Sequence, residues 1–129
     1  MTLLLDSHIL LAVQTQGSVE HTIEMKNAIS ASLPLVFVST ASLWEIAIKY
    51  RSGRLELDAA LEDLPDTCRE LELKILPIEP RHVLAKLNVE PSTKDPFDRL
   101  LLAQAQVENM RLMTVDRALV SHPLAWTAP

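Results

Sequence analysis

Two short apolar runs each end on an aspartate: Leu3-Leu4-Leu5-Asp6 near the start, and Leu112-Met113-Thr114-Val115-Asp116 near the end. A run such as Leu3–Leu5, apolar at every position, has no solvated face and belongs in a strand covered on both sides, as in parallel sheets. Strands of that kind need helices between them, and the sequence supplies them. Short helices are expected over Ser7–Gln14 and Ser18–Ser32, then a strand at Leu35–Val38. A helix over Thr40–Ser52 stops at Gly53, a natural C-terminal cap. Asp58–Leu73 reads as helical, with Pro65 either kinking it or opening a second helix. Lys74–Leu76 is a third strand, Glu79-Pro80 opens a helix reaching Leu87, and Asn88–Lys94 is a polar loop. Asp95-Pro96 starts a helix to about Met110. Leu112–Val115 is a fourth strand and Leu124–Trp126 a candidate fifth. The alternation predicts a three-layer α/β domain spanning 1–129, with a mostly parallel sheet of four or five strands flanked by helices.

Composition removes several function classes. The only glycines are Gly17 and Gly53, so neither GxGxxG nor GxxxxGK[ST] can be written. A lone cysteine, Cys68, excludes an internal disulfide framework and a multi-cysteine zinc site; among apolar helical neighbours it reads as a small buried hydrophobe. The start of the chain has no basic stretch and Asp6 interrupts its apolar run, so a secretory signal is not expected. No apolar stretch approaches the ~20 residues of a membrane helix. A reducing cytoplasm is the expected compartment. The net charge of −5 ordinarily argues against nucleic acid as a partner. That argument weakens where the acids are metal ligands, and Lys49, Arg51, Arg54, Lys94, Arg99 and Arg117 lie near the candidate carboxylates in sequence.

Four carboxylates stand out. Asp6 and Asp116 follow apolar strands and so sit at the carboxyl ends of strands, the edge where open parallel sheets bind ligands. Asp is also a good helix N-cap, which explains either one alone equally well. On the Thr40–Ser52 helix, Leu43, Ile46, Ala47 and Tyr50 form the core stripe. Ser42, Glu45, Lys49 and Ser52 form a separate polar one. Glu45 can therefore face a site, although Ser42-x-x-Glu45 also matches a capping box. Asp95 and Asp98 open a helix with Pro96 between them: Asp95 suits the cap, and Asp98 sits in the first turn, favourable for an acid and free to point outward. Carboxylates crowded in a cleft repel one another unless cations are bound. All-oxygen donors favour Mg²⁺ or Mn²⁺ over zinc, and phosphodiester hydrolysis is the chemistry such a centre suits.

Other candidates carry less. His8 adjoins Asp6 and reads as a packing or polar residue. His21, His82 and His122 are scattered, without partners at metal-ligand spacing, and are expected at the surface. Ser7, Ser39 and Ser42 show no sign of a triad. Trp44 and Trp126 are expected in the core or at a dimer interface, and aromatic content of 4% gives little support to an RNA grip by stacking.

The chain resembles the PIN-domain nucleases, and among them the VapC-type toxins of toxin–antitoxin pairs. The resemblance rests on Leu3–His8, Val38–Lys49, Asp95–Ala105 and Leu112–Asp116, in family order across nearly the whole chain. It implies a PIN fold, Mg²⁺-dependent endoribonuclease activity, homodimerisation and inhibition by a small VapB-like antitoxin. Asp6, Glu45, Asp98 and Asp116 fall on the family's acidic quartet, as catalytic residues and metal ligands. Asp95 falls on a recurrent acidic position, and Thr114 on a small hydroxyl residue that orients a water or carboxylate; with Ser7 they are expected to support the quartet. Many relatives carry His or Arg just before the Asp-Pro-Phe-Asp stretch, where this chain has Ser92-Thr93-Lys94. A different class, a PIN-like binding module with little or no turnover, would share the acidic edge; a complete quartet favours the enzyme. A receiver-like phosphoacceptor would want paired acids after the first strand and a Lys after a late one, and has neither.

Overall fold

The computed structural model describes residues 1–15 and 22–129; the expected start of the second helix at Ser18, together with Gly17 and His21, lies outside them. Among the described residues, four strands, β1 Leu3–Leu5, β2 Val36–Ser39, β3 Lys74–Leu76 and β4 Arg111–Met113, alternate with six α-helices. These are α1 Ser7–Thr15, α2 Thr22–Ser32, α3 Thr40–Arg51, α4 Leu64–Glu70, α5 Pro80–Val83 and α6 Pro96–Glu108. The sheet runs β3-β2-β1-β4 and every pairing is parallel. In register, Leu5 lies between Val38 and Met113.

The central strand explains the apolar run. Leu3, Leu4 and Leu5 are fully buried, with Leu3 and Leu5 on one face and Leu4 on the other, as the two-residue period demands. The first face joins Val36, Val38 and Met113 to Ile9 and Leu10 of α1, Ile29 of α2, Ile46 of α3, and Leu64 and Cys68 of α4. The second joins Leu4 and Leu112 to Leu101, Leu102 and Ala105 of α6, with Leu87 and Leu119. Helix α3 serves both clusters, through Ile46 and Ala41, and touches α1 and α6. It therefore sits across the carboxyl edge of β2, where the two layers meet. Cys68 is buried, and burial raises its thiol pKa.

The structure corrects several boundaries. Asp58–Ala60 is not helical; a 3-10 turn at Leu61–Asp63 precedes α4. Pro65 lies in the first turn of α4, where its missing N–H is harmless, so it opens a helix rather than kinking one. Helix α5 ends at Val83 instead of near Leu87. The carbonyls of Ala85 and Lys86 accept from Arg99 and Gln106 of α6, and Asn88 N–H donates to Gln106, so tertiary bonds replace the helical ones. Strand β4 ends at Met113, two residues before the expected end, and Thr114-Val115 becomes a connector to Asp116. The Leu124–Trp126 segment makes a single parallel bridge, Ala125 opposite Leu112. It covers the outer edge of β4, with Trp126 N–H donating to Leu112 O at 2.8 Å, without becoming a fifth strand. Tyr50, expected in the core stripe of α3, is exposed.

Candidate metal centre at the carboxyl edge of the sheet

The chain leaves β1 toward β2 and β3, then returns past β1 to form β4, so the topological switch point lies between β1 and β4. Crevices form at the carboxyl ends of strands at such a point. Asp6 stands there: its backbone N–H donates to Met113 O at 3.1 Å, and its Oδ1 accepts from Ile9 N–H at 2.9 Å. The residue does cap α1. It is also buried, 5% exposed. Burial raises its pKa, against the hydrogen bonds from the Thr114 hydroxyl and Ile9 N–H and the charge of His8, while Glu45 adds to the rise.

Thr114 is buried between two of the acids. Its hydroxyl bonds to the Asp6 carboxylate, and its oxygen accepts from Asp116 N–H at 3.0 Å. Asp116 in turn accepts from Ala118 N–H at 2.9 Å. One hydroxyl thus ties the ends of β1 and β4.

Glu45 reaches the same edge from α3. Ser39, not Ser42, caps this helix by accepting from Ala41 N–H at 3.0 Å, so the capping-box reading of Glu45 falls. Instead Ser7 Oγ donates to Glu45 Oε1 at 2.7 Å, and Lys49 Nζ lies 3.3 Å from Oε2. The Lys49 contact was legible as an i,i+4 pair. The Ser7 contact spans 38 positions, and no local pattern announces it. Ser42 Oγ is buried with no hydrogen-bond partner among the described residues.

Helix α6 brings the remaining acids. Asp95 is its N-cap, accepting from Phe97 N–H at 2.8 Å and Asp98 N–H at 3.3 Å. Asp98 follows in the first turn, and its carboxyl pKa is pushed up to about 7. Desolvation contributes most, followed by the charges of Asp95, Asp116, Glu45 and Asp6. The charges of the other four acids therefore all bear on Asp98. Among the described residues, Lys49 is the one cationic side chain in ion-pair contact with any of them. The donors are all oxygens, half-buried or buried apart from Asp95, and they carry an excess of negative charge. That set fits a hard divalent cation.

A second acidic group lies elsewhere. Ligand atoms of Glu79, His82 and Glu108 fall within 4.8 Å of one another. His82 is fully buried, not at the surface as its isolation in sequence suggested. Its Nδ1 accepts from Glu79 N–H at 3.0 Å, so Nε2 carries the proton and donates to Glu108 at 2.8 Å. Arg81 lies 2.8 Å from Glu79 and 2.6 Å from Glu108. A guanidinium already stands where a cation would, and the group fastens α5 to α6. His122 is half-buried and bonds Val89 O at 2.7 Å. Trp126 packs on the core as expected, but Trp44 is 59% exposed.

An α/β domain with its acids gathered at the switch point of a four-stranded parallel sheet is the class these observations define. The PIN domain family matches residues 3–123, and the chain belongs to that family. PIN domains are generally nucleases, and they use divalent metals. A toxin–antitoxin complex from Klebsiella pneumoniae contains a similarly folded chain, with a TM-score of 0.63 and 21% identity. The likeness covers 98% of this chain and 97% of that one. No curated protein matches. No helix among the described residues is long and apolar enough to cross a membrane.

Proposed function

We propose that this PIN domain is the toxin of a toxin–antitoxin pair, a Mg²⁺-dependent endoribonuclease in which Mn²⁺ can substitute. The observation that carries the reading is that the charges of Asp6, Glu45 and Asp116 all bear on the partly buried Asp98 carboxyl at the carboxyl edge of the sheet. Those four side chains would hold the metal. A divalent ion held there would ease deprotonation of the attacking water and supply charge to stabilise the leaving oxygen.

The chain's own residues do the rest. Thr114 and Ser7 fix the rotamers of Asp6 and Glu45, so the donors are in place before substrate arrives. Lys49 holds Glu45 and lends a positive charge to a cleft that would otherwise repel phosphate. Asp95 positions the first turn of α6 and so aims Asp98. The fold shared with a chain of a toxin–antitoxin complex supports a VapB-like antitoxin as partner. Such a segment would inhibit by laying an Arg across the carboxylates, since a planar guanidinium pairs bidentately with them. A homodimer in the cytoplasm completes the proposal.

The test is cleavage of single-stranded RNA by purified protein with Mg²⁺ or Mn²⁺, and its loss on chelation. Asp6→Asn should abolish cleavage while leaving the fold intact, because Asn caps a helix as well as Asp does. Expression of the wild type alone should arrest growth, and co-expression of the antitoxin should restore it. Activity surviving chelation would overturn the metal mechanism. Harmless expression without any cleavage would move the reading to a PIN-like binding module.

A further inference from the structure

The acidic cleft leaves a problem of substrate affinity. Carboxylates and bound ions can hold one phosphate, but a chain of net charge −5 has little long-range attraction for RNA. Affinity must come in part from uncharged contacts. The chain has two Trp, one Tyr and two Phe, and two of these five rings meet between the helices that carry Glu45 and Asp98. Trp44 of α3 lies edge-to-face on Phe97 of α6, centroids 5.3 Å apart and planes at 68°. Trp44 directly precedes Glu45, and Phe97 directly precedes Asp98, so the ring pair bridges the two helices that deliver those acids. Phe97 is half-buried in the core under α6, whereas Trp44 remains 59% exposed.

An indole placed this way is anchored along one side and open on the other. Solvating so large an apolar surface is unfavourable in an isolated protein, and the edge-to-face contact limits the ring's orientation. Both features suit a stacking platform, which accepts any base because every base has a π-face. We infer that Trp44 stacks a nucleobase of single-stranded RNA next to the phosphate held at the carboxylates, and so sets where along the strand the cleft engages. The inference rests on the nuclease reading above and adds the group that positions its substrate.

The experiment measures KM and kcat on a short single-stranded RNA for wild type, Trp44→Phe and Trp44→Ala, with oligomeric state and antitoxin binding followed in parallel. Trp44→Ala should raise KM about tenfold or more while leaving kcat within a few-fold, and Trp44→Phe should recover most of the loss. A second set of RNAs carries one abasic nucleotide at successive positions near the cleavage site. For wild type, one position should raise KM strongly; in Trp44→Ala that same lesion should add almost nothing, because the base has already lost its partner. In a Trp126→Phe background, emission from Trp44 should be quenched by RNA. An unchanged KM in Trp44→Ala overturns the inference while wild-type cleavage leaves the nuclease reading standing. If that variant instead dissociates a dimer or loses the antitoxin with KM unaltered, Trp44 is a protein contact and the inference is wrong. A wild type that cleaves no RNA defeats the parent reading first.

Discussion

At Glu79, His82 and Glu108 the carboxylates face Arg81 and a histidine N–H. At the switch point, among the described residues, Lys49 pairs with Glu45 and the other four carboxylates have no ion-pair partner. The first group looks more like a metal site by ligand type alone, since it includes a histidine. Its two carboxylates nevertheless share a guanidinium within the protein, and each ring nitrogen of His82 already has a partner. The second group has hydroxyls and backbone N–H groups to orient it, but too few cations to neutralise it. On the proposed reading, what separates a binding centre from a structural knot is therefore the missing positive charge rather than the list of donors. Asp98, whose pKa is pushed up to about 7 by burial first and by its acidic neighbours second, marks the cluster whose charge is unmatched.

The largest effect that could break this contrast is on catalysis. Asp6→Asn or Asp98→Ala should reduce RNA cleavage by orders of magnitude, while Arg81→Ala should leave the rate per folded molecule within a few-fold. Initial rates with saturating Mg²⁺ decide it. Comparable losses from Arg81→Ala would place the second cluster in the reaction and undo the distinction.

Next in size is stability. His82→Ala opens a cavity between α5 and α6 and strips partners from Glu79 N–H and Glu108. The change should destabilise by about 2–4 kcal/mol, measured by denaturant unfolding, with cleavage retained by the folded fraction. Added Mg²⁺ should raise the unfolding midpoint of wild type through the quartet. The same increment should persist in His82→Ala and vanish in Asp6→Asn. An increment lost in His82→Ala would mean the ion binds at the wrong cluster.

The pH response sharpens the comparison further. Asp98 titrates near 3.8 when unfolded and at about 7 in the folded, metal-free protein. Between those values the folded state holds a proton that the unfolded chain has released, so stability is greatest at the acidic end and falls as pH rises toward 7. Asp6 shifts in the same direction. Thermal midpoints in EDTA should thus be higher at pH 5 than at pH 8, and Asp98→Asn should flatten the slope. Mg²⁺ should restore the midpoint at pH 8, where it takes the place of the lost proton. A metal-free midpoint that climbs between pH 5 and 8, or a slope unaltered in Asp98→Asn, would show that the acids do not burden one another.

What the sequence made legible follows from range. Leu3–Leu5 and Asp6 could be read because a central parallel strand must be apolar throughout and ends where ligands bind. Asp95-Pro96 could be read because a cap and a first-turn proline are local rules. His82 could not: its burial depends on α6 packing over a four-residue helix, and nothing near it in sequence names Glu108 as its partner. Trp44, expected in the core or at a dimer interface, is not in the core. Its apolar character argues for burial, but within this chain it meets Phe97 of α6 edge-to-face and stays largely exposed. Ala85 and Lys86 follow a good helix start, yet side chains of α6 capture their carbonyls.

The smallest expected effect separates two jobs that meet at Asp95. Its carboxylate caps α6, so Asp95→Ala removes acceptors for Phe97 and Asp98 N–H and should destabilise by about 0.5–2 kcal/mol. The same carboxylate is also the largest charge contribution raising the pKa of Asp98, so its removal relieves repulsion wherever Asp98 is ionised. The two consequences oppose each other at pH 8 and not at pH 5, where Asp98 keeps its proton and the cap stands alone. In EDTA, the loss of stability in Asp95→Ala should therefore be larger at pH 5 than at pH 8, and Asp95→Asn, which keeps the cap, should be neutral at pH 5 and stabilising at pH 8. Cleavage by Asp95→Ala should fall only modestly, since Asp98 keeps its place in the first turn. Unfolding curves of the two variants at the two pH values measure the difference. A loss equal at both pH values would make Asp95 a cap and nothing more, and would separate it electrically from the acids at the end of the sheet.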